Sequence, residues 1–164
     1  RCGAELLVAG DGPDRGRLEA LTARLGLGGR VRFLGGQPRE EILRLGRRAL
    51  AVLVPSVPAT GVVEATSIAA IEAPAMGTPL VASAIGGLSE IVRDGVTGLL
   101  VPPSDPSALA GAMDRLADDA DLRRVVGEAA RRHAAENLDT SAWVARIIDV
   151  YAAAASSNGP EIAG

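Results

Sequence analysis

Short apolar runs, spaced by segments of helical period, constrain this chain more than any other feature. Residues 5–9 (ELLVA), 31–34 (VRFL), 49–54 (ALAVLV), 79–83 (PLVAS) and 99–101 (LLV) are brief and almost wholly apolar. Runs of this kind read as strands of a parallel sheet covered on both faces. Residues 14–25 carry Leu18, Leu21 and Leu25 at helical spacing, with Asp14 placed to cap and Gly26, Gly28 and Gly29 placed to stop. Pro38 suits the first turn of a helix over 39–47. Gly86-Gly87 opens a short helix over 88–93, and Ser104 or Asp105 caps one that starts with Pro106 and runs to about residue 117. Two further helices are expected over 121–136 and 140–155. This alternation predicts an α/β domain, a Rossmann-like doubly wound parallel sheet with extra C-terminal helices. The domain is expected over 1–155, with 156–164 as a flexible tail.

In such sheets ligands bind beyond the carboxyl ends of the strands. The loops there are residues 10–13, 35–37, 55–63 and 84–87, and the glycine-rich ones let a ligand approach the backbone. The third leads into residues 64–72, EATSIAAIE. Its two carboxylates, Glu64 and Glu72, are expected at or just before a helix N-terminus and about two turns in. Eight helical residues span roughly 12 Å and leave the two side chains roughly 80° apart, so both can border one groove. The N–H groups of Ala65, Thr66 and Ser67 at the helix tip attract anions. A polyol at Glu64, a diphosphate at the tip and a second polyol at Glu72 together describe a nucleotide sugar. The helix is mostly apolar, so Glu72, between Ile71 and Ala73, requires a rim position or a hydrogen-bonding partner. Pro74 falls inside the helix and is expected to kink or end it.

Other chemistries are poorly served. A net charge of −3 argues against general nucleic-acid binding. The single cysteine, Cys2, cannot build a disulfide framework or a zinc cluster within the chain, and it suits a reducing compartment. No run of about 18 apolar residues and no signal-peptide pattern is present. After Gly10 and Gly12, the third position of a GxGxxG fingerprint falls on Arg15, and no acidic residue ends the second strand. The phosphate-loop and nucleophile-elbow patterns are absent, as are Asp-rich metal spacings. His133, the only histidine, has no evident Ser or Cys partner and reads as a surface polar residue. The chain opens on RCGAELLVAG, without an initiator Met and already at a strand, which reads as a fragment of a longer protein.

Six stretches in succession carry a resemblance: residues 6–13 (LLVAGDGP), 30–35 (RVRFLG), 52–56 (VLVPS), 64–83 (EATSIAAIEAPAMGTPLVAS), 86–110 (GGLSEIVRDGVTGLLVPPSDPSALA) and the terminal helices. In this order and spacing the chain resembles the C-terminal, donor-binding domain of retaining glycosyltransferases of family 4, over residue 5 to about 151. The resemblance implies the C-terminal half of a GT-B fold of two Rossmann-like domains. It matches Glu64 and Glu72 to the E-x7-E motif, with Glu64 as the catalytic residue near the donor sugar and Glu72 on the ribose hydroxyls. It implies donor contacts from Ala65, Thr66, Ser67 and Ile68 at the helix tip. It places Gly35, Gly36 and Gln37 beside the nucleobase and Gly12 near the phosphates. Where the family usually reads Glu-Gly-Phe-Gly, this chain has Glu64-Ala65-Thr66-Ser67. The implied reaction transfers a hexose with retention from a nucleotide sugar, such as a UDP- or GDP-sugar, to an acceptor. It uses no cofactor and no metal. An N-terminal acceptor-binding domain, with basic residues for the diphosphate, lies outside this chain. Through that domain the resemblance allows peripheral membrane attachment, and it places the protein in the cytoplasm, at the inner face of the membrane. Two other readings remain open: a degenerate, non-catalytic module for assembly or regulation, and a sugar isomerase on the same architecture.

Overall fold

The computed structural model describes residues 3–58 and 67–157. In order the elements are β1 (Leu6–Ala9), α1 (Arg15–Arg24), β2 (Val31–Gly35), α2 (Arg39–Gly46), β3 (Val52–Val54), α3 (Ile68–Met76), β4 (Leu80–Ser83), α4 (Leu88–Ile91), β5 (Leu99–Val101), α5 (Pro106–Asp118), α6 (Ala120–Asn137) and α7 (Thr140–Ser157). Every apolar run of the sequence is thus a strand, and every strand pair is parallel. Among the described residues the strands pair as two sets, β1-β2 and β3-β4-β5.

The three-stranded set holds the core. Successive β4 residues point to opposite faces, as the pleat requires. On one face Leu80 and Ala82, with Val54 of β3, meet Ala70 and Ala73 of α3 and Leu88 of α4. On the other, Val81 with Leu99 and Val101 of β5 meets Ala112 and Leu116 of α5. Helices therefore cover both faces, the doubly wound arrangement. Leu80, Leu88, Leu116, Val81 and Val126 are its largest fully buried side chains. Each such burial is worth roughly 1.5–3 kcal/mol. The start of α5 is built as its sequence requires: Asp105 accepts from the backbone N–H groups of Ser107 and Ala108 at 3.0 and 2.9 Å, and Pro106 occupies the first turn.

β1 departs from the sequence reading, which makes it a buried strand. Leu6 and Leu7 are each 37 % exposed, and no described residue before Gly46 is buried. The reason is local to this unit. β1 has only β2 as a neighbour, and α1, which joins them, buries none of its residues.

α3 also starts later than its sequence pattern suggests. Its first residue is Ile68, with Ser67 as N-cap in extended conformation (φ −101°, ψ 128°), so residue 67 needs no glycine. The helix does not stop at Pro74 but continues to Met76 and ends on Gly77, whose φ of 75° is left-handed. Pro74 lies so near the end that it removes a single donor from the ladder, the one that would serve Ala70. The far end of α3 is tightly held. Thr78 Oγ1 donates to the carbonyl of Gly46 at 3.0 Å. The side chain of Met76 lies where a Cβ on Gly46 would stand, and the carbonyl of Gly77 where a Cβ on Gly127 of α6 would stand.

Candidate functional site

The loops after β1 and β2 come together. The N–H of Gly10 donates to the carbonyl of Gly35 at 2.8 Å, with φ of 118° at Gly10 and 67° at Gly35. Both angles favour glycine. Arg15 Nη1 lies only 3.2 Å from where a Cβ on Gly35 would be, so the guanidinium rests against this turn. Its Nε pairs with Glu19 at 2.8 Å and its Nη1 stands 3.6 Å from Asp11. Asp11, in turn, accepts from the N–H of Gly12 at 3.0 Å. A Cβ at Gly12 or Gly36 would meet nothing within 4 Å, so both backbones face open space. Gln37 Nε2 is held by the carbonyl of Leu34 at 2.6 Å. Asp14 stands at the N-cap position of α1 but gives no side-chain cap bond. Its carboxylate is taken by Arg17 at 3.0 Å, and that hydrogen bond, reinforced by the positive charge, holds its pKa below the usual carboxylate value.

The next element leads from this edge to α3. Pro38 is the N-cap of α2, and Arg39 its first residue. Arg39 Nε donates to Glu72 Oε1 at 2.6 Å. The Glu72 side chain is 13 % exposed and that of Arg39 73 %. The partner that a carboxylate on an apolar helix requires is therefore supplied from α2. Because α3 begins at Ile68, Glu72 is its fifth residue, just over one turn in, where the sequence reading has it about two turns in. At the tip itself the N-cap residue, Ser67, makes no side-chain cap bond, and Ile68 is 74 % exposed. Glu64, Ala65 and Thr66 lie outside the described residues, and with them the expected Glu64–Glu72 groove.

The remaining candidates are quickly placed. His133 Nδ1 lies 3.1 Å from Asn137 Nδ2 on α6, with no nucleophile beside it. Among the described residues no three His, Cys, Asp or Glu side chains gather as a metal site, and no helix is long and apolar enough to cross a membrane. A surface cavity of about 420 Å³ between α3, α4 and α7 is lined by Ile71, Glu90 and Trp143 but by neither Glu72 nor the glycine loops.

Residues 3–133 match the family described as Glycosyl transferases group 1. The chain belongs to that family. It is 40 % identical over 154 residues to the D-inositol 3-phosphate glycosyltransferase of Salinispora arenicola, covering 93 % of this chain and 33 % of that protein. An uncharacterized glycosyltransferase of Methanocaldococcus jannaschii is 34 % identical over 151 residues, 92 % of this chain and 37 % of its own length. This group 1 glycosyltransferase chain thus spans about a third of the length of the relatives it matches. Among solved structures, sucrose-phosphate synthase from Thermosynechococcus elongatus superposes with a TM-score of 0.79 at 34 % identity, covering 93 % of this chain and 39 % of that one. Anabaena Alr3699/HepE, in complex with UDP, gives 0.80 at 25 % identity, over 92 % and 41 %. These neighbours are GT-B glycosyltransferases, so the glycosyltransferase assignment and the α/β fold agree with the reading of the sequence.

Two residues at this site carry no signal in the sequence. Arg15 follows the first glycine turn and Arg39 the second, yet nothing in spacing pairs Arg39 with a carboxylate 33 residues away. A basic residue directly after a strand-end loop is the one clue that points to either.

Proposed function

We propose that this chain is the donor-binding domain of a retaining glycosyltransferase of family 4, holding a nucleotide sugar at the carboxyl ends of its strands. The observation that carries the reading is the tip of α3. Its N-cap residue, Ser67, makes no side-chain cap bond, and a largely buried carboxylate, Glu72, stands just over one turn behind. Unclaimed N–H groups at such a tip receive a diphosphate, and the carboxylate accepts from ribose hydroxyls. Gly12 and Gly36 leave room for phosphates and base, with Gly35 and Gln37 alongside. Glu64 borders the donor sugar and offsets positive charge developing at its ring, while Ala65, Thr66, Ser67 and Ile68 frame the diphosphate. When the bond from the sugar to the diphosphate breaks, the leaving charge is met by backbone dipoles and by basic side chains of the adjoining domain. The structures of HepE with UDP and with UDP-glucose support a donor of this class. The acceptor-binding domain belongs to the rest of the protein, which acts in the cytoplasm, at the inner face of the membrane.

The test is calorimetry of the full-length protein with UDP- and GDP-sugars and the free diphosphates. One base is expected to bind, and Glu72→Ala is expected to weaken the nucleoside diphosphate about tenfold or more, the loss of hydrogen bonds to a charged acceptor. Absence of binding by any of these ligands overturns the reading.

A further inference from the structure

We infer that Arg39 is a positioning residue for donor binding, fixing the Glu72 carboxylate so that one oxygen is held by the protein and the other is presented to the ligand. The inference rests on the proposed role of Glu72. Three observations lead to it. The contact joins the first residue of α2 to one in the first half of α3, at 2.6 Å between Nε and Oε1. The exposures are lopsided: Glu72 is nearly buried while Arg39 is largely in solvent. Finally, Oε2 of Glu72 accepts no hydrogen bond from any described residue.

Each observation has a physical consequence. A lone carboxylate on an apolar helix turns about its terminal torsion, which is broad and has no sharp preferred angle. Tying Oε1 to a planar N–H removes that freedom before the ligand arrives, so less ordering remains to be done on binding. Only the Arg39 end of the pair lies in solvent, so the pair adds modestly to folding. Its effect falls on the half of the carboxylate that faces outward. Arg39 also begins directly after residues 35–38, so any ligand seated against that loop lies beside the same guanidinium. The remaining N–H groups of Arg39 stay available to water.

Calorimetry with the full-length protein tests this with two probes, a nucleoside diphosphate and its 2′,3′-dideoxy analogue, which lacks the ribose hydroxyls. Arg39→Ala is expected to weaken the first about tenfold and the second hardly at all. Arg39→Lys, a cation without the fixed planar N–H, is expected to fall between. Added to Glu72→Ala, Arg39→Ala is expected to cost nothing more. Melting temperatures of the variants check that each is folded. If wild type binds and Glu72→Ala weakens it while Arg39→Ala does not, the positioning role is overturned and the donor site stands. Equal weakening of both probes, or tighter binding by Arg39→Ala, overturns it as well. If Glu72→Ala leaves affinity unchanged, the placement of Glu72 falls, and this inference with it.

Discussion

Glu41 and Arg44 on α2 show how charge acts at the scale of single residues. They pair at 2.5 Å, and the hydrogen bond from Arg44 holds the Glu41 pKa below its ordinary 4.5. The folded chain therefore binds fewer protons here than the unfolded one. The pair contributes fully above that ordinary value, and its contribution is lost as pH falls through the lower folded value. Arg44→Ala should lower the urea midpoint slightly near pH 7, the gap closing near pH 2, and urea titration at the two pH values checks it. Steric contacts act far more strongly. Gly127→Ala pushes a Cβ into the Gly77 carbonyl. It should cost about 1–3 kcal/mol in denaturant unfolding. Local features of this kind were unevenly legible. Asp105 is recognisable as a cap because the groups it serves are two and three residues away. Asp14 has the same credentials, but Arg17 offers its carboxylate a charged partner instead. Arg39 was invisible because its contact depends on how two helices pack.

At the level of elements, apolar runs gave the strands correctly, since four or five consecutive apolar residues between glycine turns have few alternatives. They did not give burial, which depends on neighbours. β4 lies between β3 and β5 and is wholly buried, whereas β1, equally apolar, has one neighbour and is not. Hydrogen exchange should separate the two regions: amides of β1, α1 and β2 should exchange well before those of β4, α3 and α6. Comparable protection throughout would contradict this picture of the packing. The starts of α2, α5 and α7 fall where the sequence places them, but that of α3 does not. The sequence reading starts α3 at or just after Glu64, but Ser67 takes the extended backbone of a cap, and the helix begins after it. Its end also departs from the reading: the sequence offers Pro74 as a stop or kink, whereas the helix runs on to Met76 and closes on Gly77, whose left-handed turn suits glycine.

Across the whole molecule, glycosyltransferase membership and the α/β fold were readable from six ordered stretches together, none of which decides the matter alone. The expected pairing of Glu64 with Glu72 remains a proposal, since Glu64 lies outside the described residues. The way α3 is fixed has a mechanical consequence. Its rear packs against α6 where the Gly77 carbonyl meets Gly127, while its first residue, Ile68, is 74 % exposed. A displacement at that packed end is carried along the rigid helix to its first turn. Crowding Gly127 should therefore alter affinity for a nucleotide at the proposed site as well as stability, and calorimetry on Gly127→Ala checks it.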